Sequence, residues 1–177
     1  MSLEPPNRAD QAIPACGDFD IRIDQEGAWY YRGSVIARPE LVRLFASVLS
    51  RDDRGEYWLT TPAEKGRIQV NDVPFVAVAV TASGKGEDQE LEFLTNVGDR
   101  VIADRDHPIR VAQDPATKGP IPYVTVRRQI EARIVRSVYY DLVELGEEKL
   151  VENRPILGVW SKGCFFTLGK LDESHGP

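Results

Sequence analysis

Arginine and tyrosine crowd one stretch of the chain, Pro122 to Gly146, which reads PYVTVRRQIEARIVRSVYYDLVELG and holds four arginines and three tyrosines. Guanidinium groups beside phenols suit anions, because the arginine fork meets carboxylate or phosphate oxygens two at a time and the phenol adds a donor. A helical wheel of Val126 to Leu145 sets Ile130, Ile134, Val138, Leu142 and Leu145 on one side, as a buried face requires, with Gly146 as C-cap. Gln129, Arg133, Arg136 and Tyr140 then form a separate stripe. Arg133, Arg136 and Tyr140 are the candidate anion anchors, with Tyr123 or Trp160 lining the cleft. Arg127 and Glu131, an i, i+4 pair within the apolar face, are expected to pair with each other or a neighbouring element. A strand is the competing form, favoured by Val138, Tyr139, Tyr140 and Val143; the helix is the reading adopted.

Magnitudes limit this stripe. Two charge-assisted hydrogen bonds contribute about 3–6 kcal/mol together, whereas millimolar binding already needs about 4 kcal/mol and micromolar about 8. Backbone amides or groups from another element must therefore complete a tight site. The bland alternative is a solvated or inter-unit face in which both arginines pair with surface carboxylates.

Other constellations carry less. Asp104-Arg105-Asp106-His107 offers oxygen and nitrogen ligands, but successive strand side chains diverge and Pro108 points to a turn, so no metal site is expected. His107 is the only histidine outside the C-terminal tail, and a histidine-based triad would have to combine it with Cys164 or a serine. Cys164 adjoins Phe165 and Phe166, where a buried inert thiol is the commoner role. Ser83-Gly-Lys-Gly-Glu lacks the full pattern of a phosphate loop and precedes a strand, so no nucleotide cofactor is implied. Trp29, Trp58 and Trp160 occupy comparable strand positions, which core packing explains before ligand stacking does.

The elements that must hold these side chains follow from periodicity and punctuation. Asp20–Ile23 and Trp29–Tyr31 read as a hairpin; Arg38–Ser50 repeats Leu41, Leu44, Phe45, Val48 and Leu49 at helical spacing after Pro39; Glu56–Thr60 and Arg67–Val70 form a second strand pair. Between them Thr61-Pro62-Ala63-Glu64 has capping-box spacing, which predicts a one-turn helix. From Pro74 onward the strands are Phe75–Val80, Leu91–Thr95, Arg100–Ala103, Ile109–Val111, Leu157–Trp160 and Cys164–Leu168. Trp58-Leu-Thr-Thr before Arg67-Ile echoes Phe93-Leu-Thr-Asn before Arg100-Val, and strand pair, helix, strand pair describes both Asp18–Val70 and Pro108–Leu168. The fold class expected is α+β: two related units of strand pair, helix, strand pair, with antiparallel sheets packed on helices. The expected boundaries are a flexible tail at 1–17, units at 18–73 and 74–171, and a short tail at 172–177.

Composition narrows the classes of function. With 22 basic and 28 acidic residues among 177, the net charge of −6 opposes the phosphate attraction that supplies most nucleic-acid affinity. No apolar run approaches the roughly 20 residues of a membrane span, and the first residues carry neither a basic start nor an apolar stretch, so a cytoplasmic protein without a membrane partner is expected. Cys16 and Cys164 lie near opposite ends without metal-ligand spacing and are expected as reduced thiols.

A set of signatures together resembles an uncharacterised, largely proteobacterial family, a domain of unknown function. The matching residues include Arg38-Pro39, Leu44-Phe45, Thr61-Pro62 with Glu64, Asp72 with Pro74-Phe75, Thr95-Asn96 with Gly98-Asp99, and His107-Pro108. They continue through Pro122-Tyr123, Glu131-Ala132-Arg133, Arg136, Tyr139-Tyr140, Trp160-Ser161 and Phe165-Phe166. The resemblance spans about Trp29 to Gly169 and implies a two-domain α+β protein with repeated motifs, possible involvement in signal transduction, and no established activity or catalytic residue to transfer.

Three functions compete. The leading one is a binding or regulatory module holding an anionic small molecule, or a partner's acidic segment, between its two units. The second is a hydrolase or transferase whose site joins Glu64, His107 and Cys164 across the boundary. The third is a structural protein that dimerises through its aromatic residues.

Overall fold

The computed structural model describes residues 15–171, so the predicted tail at 172–177 and most of that at 1–17 lie outside it. Fifteen strands dominate these residues, against two nine-residue α-helices and one short 3-10 turn. The α+β class is therefore corrected to a mostly β architecture of three sheets. Two short helices cannot cover two six-stranded sheets; most apolar side chains find their partners on other strands.

The first sheet holds β1 (Ala15–Ile23), β2 (Trp29–Tyr31), β3 (Ser34–Val35), β4 (Leu49–Arg51), β5 (Tyr57–Thr60) and β6 (Lys65–Val70), in the order β3-β2-β1-β6-β5-β4. Its strands alternate as half-buried strands do, burying Ile21 and Ile23, Tyr57 and Leu59. Helix α1 (Pro39–Ser47) links the two halves of this sheet, with proline in its first turn and Glu40 beside it at the positive end of the dipole. Phe45 of α1 stacks on the buried Trp29, ring centroids 6.2 Å apart. No helix forms at Thr61–Glu64. Instead the Glu64 N–H donates to Thr61 Oγ1 at 3.0 Å, closing the β5–β6 turn.

The second sheet holds β7 (Phe75–Ser83), β8 (Glu90–Thr95), β9 (Arg100–Ile102), β10 (Ile109–Gln113), β11 (Pro120–Arg127) and β12 (Ile130–Ile134), in the order β10-β11-β12-β7-β8-β9. Each six-stranded sheet is two three-stranded antiparallel meanders joined by one parallel seam, β1 with β6 in the first and β12 with β7 in the second. Taken in chain order, the two sheets share one topology. The repeat is thus β1–β6 against β7–β12, not Asp18–Val70 against Pro108–Leu168. The Trp58 and Phe93 echoes fall on β5 and β8, which are not equivalent strands in it. The helices do not follow the repeat: α1 sits inside the first sheet's sequence, whereas α2 (Arg136–Glu144) follows the second.

A third sheet of β13 (Glu147–Val151), β14 (Arg154–Ser161) and β15 (Cys164–Lys170) closes the chain, with β15 packed beside β10. Gly158 of β14 leaves room for the Phe165 ring, since a Cβ there would overlap it.

One contiguous core runs through both large sheets, from Ile23 and Trp29 to Phe75, Phe93 and Ile134, and reaches Leu142 of α2 and Val159 of β14. Polar ties reinforce the junction. Asn96 accepts the Val76 N–H at 3.0 Å and donates to the Gly27 carbonyl at 3.2 Å. Arg127 reaches from β11 to donate to the Ala46 and Leu49 carbonyls at the end of α1. No helix among the described residues is long and apolar enough to cross a membrane.

Candidate functional site

The arginine-rich segment does not form one helix. Residues 120–134 are the β11–β12 hairpin, turned at Arg128-Gln129 with Gln129 in the left-handed region (φ 59°), and only Arg136–Glu144 is helical. Gln129 therefore leaves the predicted stripe: its side chain sits at the hairpin tip and donates to Asp53 at 3.0 Å. The predicted Arg127–Glu131 pair does not form either. Arg127 caps α1, while Glu131 takes a bidentate pair from Arg110 at 2.6 and 2.7 Å.

The remaining anchors still converge, by a different construction. Arg133 lies on β12, Val135 bends the chain, and Arg136 opens α2 with Tyr140 one turn further on. All three line a cavity of about 640 Å³, within the roughly 300–1,000 Å³ typical of ligand sites. Its other walls come from the β10–β11 loop (Asp114, Thr117), from Pro120 and Pro122 of β11, and from Gln25 and Glu26 in the β1–β2 turn of the first sheet. Arg136 and Tyr140 are exposed and make no hydrogen bond or ion pair among the described residues.

Tyr123, expected to line the cleft, is not among the residues that line this cavity. Its register partner is Arg133, and its hydroxyl is 3.0 Å from both carboxylate oxygens of Asp72, in the link between the sheets. Arg110 covers the ring at 4.2 Å, and Arg133 Nη1 stands 3.5 Å from Asp72. Burial, and then the hydrogen bond to Asp72, push the Tyr123 phenol up to about 12. The neutral phenol is thus the form the fold favours. Its contribution is fully present below the unfolded value of about 10 and is lost as pH rises through 12. Tyr123→Phe should remove this alkaline loss, flattening the fall in urea midpoint between about pH 10 and 12. An unchanged fall would show that Tyr123 does not carry it.

Trp160 is not part of the cavity. It lies in the third sheet, edge-on to Phe165 at 5.1 Å, with Lys149 over its ring at 4.9 Å and its indole N–H donating to Glu147 at 3.2 Å. The Glu64, His107 and Cys164 constellation does not assemble by any hydrogen bond. Glu64 borders an apolar groove of about 590 Å³ under α1, His107 is 2.9 Å from Asp104 within its own loop, and Cys164 pairs with Ser161 across the β14–β15 turn. No cluster of three or more metal-ligating side chains occurs among the described residues.

Two acidic residues of the cavity were not singled out from sequence, Glu26 and Asp114, and Asp72 entered only among the residues that carry the family resemblance. One signal was available for the first. Asp24-Gln-Glu-Gly-Ala-Trp-Tyr30 and Asp52-Asp-Arg-Gly-Glu-Tyr-Trp58 share an aspartate, a glycine three later and an aromatic donor six later. Both fold alike: one aspartate oxygen takes backbone N–H groups two and four residues on, the other takes the Tyr30 hydroxyl or Trp58 indole, and both glycines have positive φ. That turn fixes Gln25 and Glu26 at the cavity. Asp114 is similarly bound by the Thr117 and Ala116 amides, which hold its carboxyl below the usual carboxylate range, with a smaller contribution from the Arg133 charge.

Two family models match the chain. Residues 10–73 match the N-terminal domain described as a domain of unknown function (DUF1285), and residues 74–168 match the C-terminal domain of the protein of unknown function (DUF1285). Among solved structures, a DUF1285 family protein from Silicibacter pomeroyi DSS-3 is 48% identical with a TM-score of 0.83, over 90% of this chain and 85% of that one. Another, from Shewanella baltica OS155, is 26% identical with a TM-score of 0.55, over 71% and 91% respectively. No curated protein matches the chain.

Proposed function

We propose that this chain, which belongs to the DUF1285 family of unknown function, is a binding or regulatory module that holds an anionic small molecule in the cavity between its two large sheets. The supporting observation is the convergence of Arg133 and Arg136 on one cavity that the β1–β2 turn of the first sheet also lines. A ligand there touches both halves of the chain, so occupancy is coupled to how they are held together. That is the property a regulatory, signal-transducing module requires. The acidic segment of a partner protein would use the same anchors.

Differential scanning fluorimetry against nucleotides, phosphorylated metabolites and dicarboxylates tests the reading. Some member of the screen should raise the melting temperature, and the Arg133→Ala, Arg136→Ala double variant should weaken its binding about a hundredfold or more. A ligand shift that survives this double substitution unchanged places the site elsewhere.

A further inference from the structure

The cavity carries both signs of charge, and this narrows its ligand. Arg133 and Arg136 come from β12 and α2; Glu26 and Asp114 come from the β1–β2 turn and the β10–β11 loop. Opposite charges lining one small space ordinarily close into ion pairs. Here they do not: Arg133 is near enough for its charge to favour ionised Asp114, yet no ion pair joins any arginine of the cavity to Glu26 or Asp114 among the described residues. The Asp114 carboxylate is held by two backbone amides of its own loop, and the backbone of Glu26 is fixed by the turn that Asp24 closes, with its side chain exposed. A purely anionic ligand would gain two guanidinium groups, one of them already 3.5 Å from Asp72, and would also meet two carboxylates. A ligand with an anion at one end and a cation at the other satisfies all four.

We infer that the ligand is a zwitterion of amino-acid or dipeptide size, its carboxylate on Arg133 and Arg136 and its ammonium toward Glu26 and Asp114. This rests on the reading of the cavity as a binding site. The apolar part of the same lining, from Pro120, Ile121, Pro122 and Tyr139, fits an apolar side chain rather than a second charged one. The Tyr139 hydroxyl is already spent on the Leu168 carbonyl at 3.2 Å, which leaves its ring as a wall.

Calorimetry with the full-length protein can separate the charges. The probes are the twenty amino acids and dipeptides ending in leucine or phenylalanine, each beside its N-acetyl counterpart, which keeps the carboxylate and removes the ammonium charge. At least one free zwitterion should bind about tenfold or more tightly than its N-acetyl form. In the Glu26→Gln, Asp114→Asn double variant the two should become equal; the amide side chains keep the size, and the carboxamide oxygen replacing the Asp114 carboxylate can still accept both backbone amides. Arg136→Gln should weaken the free and the acetylated forms alike. Equal affinity in the wild type overturns the zwitterion assignment while leaving an anion site standing. So does the absence of any bound zwitterion when a simple anion binds. If neither zwitterions nor the anions screened above bind, the cavity is not a ligand site and both readings fall.

Discussion

Replacing Gly27 with alanine should cost about 2–5 kcal/mol of folding stability, the sum of a strained left-handed residue and an overpacked contact. Gly27 has φ +82°, and a Cβ there would stand 2.7 Å from both Asn96 Nδ2 and Val76 Cγ2, well inside contact distance. The clash falls on the tie between the sheets, because Asn96 also binds the Gly27 carbonyl and the Val76 N–H. Gly33 supplies the control. It has φ +79° with nothing within 4 Å of its virtual Cβ, so Gly33→Ala carries the backbone strain alone, about 1–2 kcal/mol. Urea denaturation of the two variants measures the difference. Equal losses would mean that Asn96 and Val76 move aside, and that the junction is looser than its hydrogen bonds suggest.

Arg127→Met should cost about 2–4 kcal/mol. The guanidinium crosses from the second sheet to the carbonyls of Ala46 and Leu49, where it meets the negative end of α1. It also lies 5.5 Å over the Phe75 ring. Hydrogen bonds to a charged donor contribute about 1.5–3 kcal/mol each, and methionine leaves both carbonyls unmet. Arg127→Lys should lie between, since a lysine keeps the charge without the fork. Hydrogen exchange near Ala46 to Leu49 should quicken in the methionine variant. A change within about 0.5 kcal/mol, the range of ordinary surface substitutions, would mean that this arginine does not bind the halves together.

These two residues also mark where the sequence was and was not readable. Ile130 and Ile134 are four apart, a spacing that both a helix and a strand place on one face. Ala132 decides between them: it is fully buried beside both isoleucines on β12, a position a helix would turn away. Alanine is too small and too common in either element to announce this. On a helix Arg127 and Glu131 would be neighbours. The hairpin instead sends one toward α1 and the other toward Arg110. The longer strands were legible from alternation, as with Leu91, Phe93 and Thr95 on β8. Strand β3 was not, because two residues show no period, and β4 was not, because Leu49 continues the helical spacing of Arg38–Ser50 although α1 ends at Ser47. Nor was β13, where Glu147 to Val151 are all exposed and nothing alternates. The mostly β class follows largely from those omissions and from the misread hairpin. At the cavity, Arg133, Arg136 and Tyr140 stood out in the sequence by residue type and by a helical spacing that the fold does not keep, since Arg133 lies on β12. The acidic wall was missed because Glu26 and Asp114 are distant in sequence and acquire meaning only when two loops meet.

The parallel seam between β7 and β12 imposes a timetable on synthesis. The first sheet can close as soon as Val70 has left the ribosome, since β1 and β6 are then both available. Strand β7 can pair with β8, but its other edge, at Phe75, Val76 and Ala77, stays open until Ile130–Ile134 emerge; at about 5–20 residues per second that interval lasts seconds. Non-local pairings of this kind fold slowly and expose sticky edges meanwhile. The nascent chain is thus most vulnerable to aggregation between Phe75 and Ile134, and a pause in translation there would prolong the exposure.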